Sequence, residues 1–185
     1  MFGTQVIFGV NGQKYSFNSL YVKTVEQSYN IVPLPGAPRC IVGVTELRGE
    51  WIPVCDLDIK FNTGASAKTN REIIFVSSSD GDIGCLVDAV YEIGAVADDV
   101  QVQLPFIIQS DDTGYVEGIV RHNGELITAI RHESILTRNE AAQLSVAMKS
   151  LRKKQEEEAA EQARLEAARK AAEEAARKAA EGAGE

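Results

Sequence analysis

Two histidines and three cysteines are all that the 185 residues hold of the side chains that most often bind transition metals. The cysteines, Cys40, Cys55 and Cys85, are odd in number, lack CxxC spacing and each stand among apolar neighbours. That pattern reads as buried free thiols in a reducing cytoplasm. His122 and His132 have no partner at metal-ligand spacing; His122 precedes a turn and is expected to be exposed, and His132 opens a short helix. Asp80-Gly81-Asp82 lacks the downstream acid of a calcium loop, and Asp98-Asp99 and Asp111-Asp112 read as loop acids. There is no glycine-rich phosphate loop and no serine-centred elbow. These absences argue against an enzyme, and no metal or cofactor is expected.

Long apolar runs are missing too. Nothing approaches the roughly 18 residues that would insert directly into a membrane, and the first ten residues lack the basic region of an export signal. A cytoplasmic location is expected. Basic charge is scarce where it would matter. Of 19 basic and 27 acidic residues, 9 of each fall from Ala141 onward, leaving 10 against 18 in positions 1–140. An acidic body disfavours nucleic acid, whose phosphates demand clustered Lys and Arg.

What is present is alternation. Val6, Phe8 and Val10 alternate with smaller or polar residues, Asn11-Gly12 supplies a turn, and Tyr15 and Phe17 continue beyond it. Asn-Gly between alternating runs signals a hairpin, because type I′ turns need positive φ at both central residues. Asp80-Gly81 and Asn123-Gly124 mark two more hairpins, and Gly49 a fourth. Two of these match at an offset of 75: GVTELRGEWIPVC (43–55) with GIVRHNGELITAI (118–130). At an offset of 68, YSFNSLYVKTV (15–25) matches IGCLVDAVYEI (83–93). The body therefore reads as a duplication of two small β units, one spanning about 15–65 and the other about 70–138, with the N-terminal strand open to either. NTGASAKTN (62–70) is the candidate join. Short helices are expected at Asp56–Phe61 and His132–Arg138. Pro53, which has no amide to donate, is expected on an edge or bulge.

The tail, 141–185, differs in kind. From Asn139 to Glu181 there is no Gly or Pro, and 14 of the 41 residues in 141–181 are alanine. Thr137 or Asn139 could cap a helix there. Leu144, Met148 and Leu151 share one face, after which EAARKAAE occurs twice in succession. Glu166→Lys170, Glu173→Arg177 and Glu174→Lys178 support a solvated helix, each pair by roughly 0.2–0.5 kcal/mol. An eight-residue period is not a heptad, so a coiled coil is disfavoured. A low-complexity, unstructured tail is the competing reading.

With GVTELRGEWIPVCDL before us, the chain resembles the CheW family of chemotaxis coupling proteins. Gly43, Leu47, Arg48, Gly49, Pro53, Asp56 and Leu57 fit the family's central signature, and the resemblance spans roughly 4–138. It implies a mainly β fold of two SH3-like, five-stranded β-barrel subdomains in a domain over 1–140; the Ala/Glu/Lys/Arg-rich α-helical tail that follows lies outside the resemblance. It implies an adaptor between the cytoplasmic tip of methyl-accepting chemotaxis receptors and the regulatory domain of the histidine kinase CheA. Other CheW-like domains are implied partners too, within arrays peripheral to the inner membrane. The alternative is a scaffold of a non-flagellar chemosensory pathway whose tail docks another partner; an enzyme or small-ligand barrel is the reading from another class. For receptor binding and coupling, the resemblance points to Val22, Gly43, Glu46, Leu47, Arg48 and Gly49. Arg48 stands where the family keeps an arginine needed for coupling. The family's asparagine is Glu46 here, and its usual acid is Thr24, so Glu46 or Glu26 is expected to pair with Arg48. The bland alternative is an arginine paired only within its own barrel. Trp51, aliphatic in relatives, is either a partner anchor or core.

Overall fold

The computed structural model describes residues 3–27, 29–64, 69–78, 81–95, 97–102 and 114–182; the side chains of 97–102 and of 174–182 lie outside that description. The strands are β1 (Thr4–Val10), β2 (Gln13–Asn18), β3 (Val22–Glu26), β4 (Ile41–Leu47), β5 (Glu50–Asp56), β6 (Glu72–Ser78), β7 (Gly81–Val87), β8 (Ala89–Ala95), β9 (Ala97–Val102), β10 (Val116–His122) and β11 (Glu125–Ile130). The helices are α1 (Leu57–Phe61) and α2 (Arg138–Gly182). Asn11-Gly12 and Asn123-Gly124 adopt positive φ, 45° with 79° and 50° with 83°, as hairpin turns of this kind require. Arg48-Gly49 does the same at 53° and 85°.

One sheet runs β3-β6-β7-β5-β4 and the other β8-β1-β2-β11-β10-β9. The duplication is visible in the register. Ile41↔Cys55 and Gly43↔Val54 between β4 and β5 become Val116↔Ile130 and Gly118↔Ala129 between β10 and β11, with the irregularity at the same step. The parallel pairing of β5 with β7, Cys55↔Cys85, becomes that of β11 with β2, Ile130↔Phe17. Under the two offsets, β3-β6-β7-β5-β4 maps strand for strand onto β8-β1-β2-β11-β10.

The sheets nevertheless do not coincide with the halves 15–65 and 70–138. Hairpin β1–β2 lies in the sheet built from the second half, and β6–β7 in the sheet built from the first. Each half has given its leading hairpin to the other. The reason is the straight-through connection. Val22 follows Asn18 after a single 3-10 turn (Ser19–Tyr21) that carries the chain from one sheet to the other, and Asp88 alone separates β7 from β8. The second sheet also gains a sixth strand, β9, beyond the five expected; Asp98 and Asp99 lie in it and not in a loop. That sheet curls on itself. His122 Nε2 on β10 meets Glu92 Oε1 on β8 at 2.5 Å, although these strands are not neighbours in the sheet order. Closure is why His122, expected to be exposed, has a side chain only 16% accessible. Asp80, Asp111 and Asp112 lie outside the described residues.

Ile7, Val120 and Ile127 form one buried cluster, and Ile52, Val54, Ile73, Phe75 and Leu86 another. Tyr15 of β2 packs tilted against Phe61 of α1 with centroids 4.8 Å apart, and Phe61 stacks on Tyr115 at 4.7 Å. Such pairs contribute about 0.5–1.5 kcal/mol each beyond their buried area. Pro53 corrects another expectation. Its strand β5 is internal, between β7 and β4. Pairing with β7 begins only at Val54, however, so at Pro53 the strand has β4 alone beside it and the missing amide is tolerated.

Helix α2 starts at a capping box. Glu140 N donates to Thr137 Oγ1 at 3.3 Å, and Thr137 N donates back to Glu140 Oε2 at 2.7 Å, so Thr137 and not Asn139 is the cap. At 1.5 Å per residue the 45-residue helix is about 67 Å long. From Ser145 onward, α2 forms a unit of its own. Within it Lys170–Glu166 pairs at 3.0 Å as expected, and Lys153–Glu157 and Lys154–Glu158 pair at 3.8 and 3.7 Å in the opposite order.

Candidate functional site

The tip of the β4–β5 hairpin is built from what surrounds it. Leu47 is half-buried against Ile52, Val54, Ile73, Phe75 and Leu86, which fixes the end of β4. Gly49 takes φ 85° at no steric cost, and Arg48 takes φ 53°, a conformation uncommon for a long side chain. Arg48 is exposed and makes no hydrogen bond or ion pair among the described residues. The expected carboxylate partners are elsewhere. Glu46 is exposed, directly across from Trp51 in the register, and Glu26 accepts a hydrogen bond from Thr24 Oγ1 at 3.2 Å. Neither Glu46 nor Glu26 meets Arg48, and among the described residues the arginine does not pair within its own barrel. Trp51 is half-buried and lies outside the central cluster to which Ile52 and Val54 belong. Val22 opens β3, half-buried opposite Val76. It lies on one edge strand of the five-stranded sheet, and the hairpin contributes the other edge, β4.

Gly43 is buried and serves a different end. The segment just before Pro33 crosses it, with Val32 N donating to Val44 O and Val44 N to Val32 O, both at 2.8 Å. A Cβ on Gly43 would stand 2.3 Å from Val32 O and 2.7 Å from Ile31 Cγ2. Backbone cannot yield as a side chain can. Gly43→Ala is expected to cost on the order of 2–3 kcal/mol, read as a lower urea midpoint; an unchanged midpoint would show that residues 31–32 move aside freely.

At the end of β5, away from the hairpin's turn, lies a buried ionic cluster that the sequence did not advertise. Arg71, just before β6, grips Asp56 with two hydrogen bonds of 2.7 and 2.8 Å and Asp58 with one of 2.7 Å. Its Nε lies 3.8 Å from Asp88 Oδ1. All four side chains are at most 13% exposed. Asp56 also caps α1 by accepting from Asp58 N at 3.0 Å, and Asp88 Oδ2 accepts from Asn11 N at 2.9 Å in the β1–β2 turn. Burial alone would lower the Arg71 guanidinium; the Asp56 hydrogen bonds and the three acids reverse that and hold it up. Burial pushes the Asp58 carboxyl above its usual range, against the pull of Arg71 and Thr63.

His132 stacks on Tyr21 with centroids 3.8 Å apart, and burial lowers its pKa. Leu20, beside Tyr21, is 84% exposed. That apolar corner had no sequence signal, because its exposure follows from the 3-10 turn between the sheets. Among the described residues no group of three or more His, Cys, Asp and Glu could hold a metal, and no helix is long and apolar enough to cross a membrane.

The model of the CheW-like domain matches residues 5–140, the whole β body. The chain belongs to the CheW-like domain family. Chemotaxis protein CheW of Rhizobium meliloti is 28% identical over 137 residues, covering 73% of this chain and 88% of that protein. Chemotaxis protein CheW of Bacillus subtilis is 29% identical over 142 residues, covering 76% and 90%. Among solved structures, the scaffolding protein TtCheW from Thermoanaerobacter tengcongensis matches with a TM-score of 0.68 and 29% identity over 76% of this chain and 96% of that one. A CheW-like chain of this kind is a scaffold of chemotaxis and not an enzyme. Most of α2 lies beyond the matched region.

Proposed function

We propose that this CheW-like chain is a non-enzymatic adaptor that couples the cytoplasmic tip of methyl-accepting chemotaxis receptors to the regulatory domain of CheA, in arrays on the cytoplasmic side of the inner membrane. The observation that carries this reading is Arg48: exposed, and unpaired among the described residues, at the tip of a hairpin held by Leu47, Gly43 and the core. A guanidinium in that state offers five donors in a planar fork, suited to a partner's carboxylate or carbonyl groups. Glu46, Gly49 and the half-buried Trp51 and Val22 complete the surface, and Gly43 shapes it from beneath. Other CheW-like domains would pack alongside in the same array.

Reconstitution tests it. With receptor fragment and CheA, the chain should raise kinase autophosphorylation and sediment with both. Arg48→Glu should return the activity to its level without the chain while the circular dichroism stays unchanged. Full activity in the variant would remove Arg48 from the surface, and no co-sedimentation of the unaltered chain would remove the function.

A second reading has its own support in α2, which runs some forty residues past the family match. In a non-flagellar chemosensory pathway the tail would dock a further partner. Truncation after residue 150 would then leave receptor and kinase binding intact and lose that partner alone.

A further inference from the structure

We infer that this chain associates with copies of itself head to tail, the β4–β5 hairpin of one copy meeting the β10–β11 hairpin of the next. Glu46 then lies on Arg121 and Trp51 on Leu126. The duplication makes the two tips equivalent in form. One step in from the closing pairs Leu47↔Glu50 and His122↔Glu125, the registers place Glu46↔Trp51 on the first hairpin and Arg121↔Leu126 on the second. Residues directly opposite in a ladder share a face. Each tip therefore shows one charge beside one large apolar side chain.

The charges are opposite and both are free to act. Glu46 and Arg121 are exposed, and neither makes a hydrogen bond or ion pair among the described residues. Their neighbours leave the contrast standing. On the first tip Glu46 and Glu50 outweigh Arg48, all three being exposed. On the second, Lys14 holds Glu125 and His122 holds Glu92, so Arg121 is the charge left over. The apolar members match too, for Leu126 is 58% exposed and Trp51 is only half-buried.

Like tips repel, since Glu46 would face Glu46 or Arg121 would face Arg121. Unlike tips set a carboxylate on a guanidinium, a strong charge-assisted pairing, beside a tryptophan, a residue type favoured as an interface anchor. Within one chain the two hairpins belong to different sheets, and Glu46 does not meet Arg121. A contact between two different patches is heterologous: each joined pair leaves one tip of each kind open, so the assembly extends as a chain or closes as a ring. Its area is small, so the association is weak and transient, with a dissociation constant of about 0.1 mM.

Sedimentation velocity of the full chain alone tests this. Between about 1 μM and about 0.1 mM the weight-average mass should rise about twofold from the monomer value. Glu46→Arg makes both tips basic and Arg121→Glu makes both acidic, so each variant should stay monomeric with unchanged circular dichroism. Mixed in equal amounts, the two variants should associate again, and the double variant should associate by itself. No receptor or kinase enters the readout, so it stands or falls apart from the coupling function. A parent chain that stays monomeric at the higher concentration would overturn the inference. So would association that survives in both single variants, which assigns it to another surface, or single variants that fail to associate when mixed.

Discussion

Arg71→Ala is expected to lower the stability of the body by about 3–5 kcal/mol, because it leaves three carboxylates buried without their cation. Asp58 and Asp88 are 2% and 3% accessible, so water cannot replace the guanidinium without the site opening. The damage should spread beyond the site. Through Asp56 the cluster holds the cap of α1, and through Asp88 the amide of Asn11 in the β1–β2 turn. Arg71→Lys should recover little, since a single ammonium cannot bridge acids that the guanidinium reaches through separate nitrogens. The loss should also depend on pH. Asp58 is already raised by burial, and without Arg71 its folded pKa lies further above the unfolded value. A group so shifted favours the fold when protonated, so the variant should be least impaired at or below about pH 4 and worsen as pH rises through the raised pKa. Urea unfolding of both proteins at neutral and acid pH measures this. A deficit under about 1 kcal/mol at neutral pH would show that the acids are solvated in the variant.

The duplication and the hairpins were legible because they reside in local chemistry. Asn11-Gly12 and Asn123-Gly124 announce their own turns, and an offset of 75 carries one hairpin onto the other with its register intact. The exchange of hairpins between sheets was not legible. It depends on whether the chain turns back or passes straight on at Ser19–Tyr21 and Asp88, and neither stretch has a composition that decides this. The Arg71 cluster was hidden for a related reason. Its four members come from the end of β5, the start of α1, the residue before β6 and the crossover after β7, and they meet only in the folded chain. The duplicate offers no echo, since the residue equivalent to Asp56 is Arg131 and the one equivalent to Asp88 is Leu20. At the candidate site, Arg48 could be singled out by resemblance, whereas the carboxylate assigned to it depended on side-chain reach across strands and was not found there. His122 looked exposed because closure of a curled sheet is a property of many strands together.

Arg48→Asn should raise stability and abolish coupling together, and the duplication explains why. The equivalent residue in the second half is Asn123, at φ 50° against 53° for Arg48, in a hairpin of matching register. Asparagine tolerates that left-handed conformation, while a long side chain pays roughly 1 kcal/mol for it. The second half thus shows what the turn selects for folding alone, and the first half keeps the costlier residue. Nothing within the body rewards it, for Arg48 has no partner among the described residues. A conformation that costs stability and is repaid by no internal contact is the signature of a side chain held ready for something outside the molecule. Arg48→Asn is therefore expected to gain about 0.5–1 kcal/mol in urea unfolding while kinase activation falls to its level without the chain. Arg48→Lys should keep the strain and recover only part of the activation, because a point charge cannot reproduce a planar fork. If the asparagine variant coupled as well as the parent, the strain at this turn would have no functional counterpart and the free guanidinium would be a bystander.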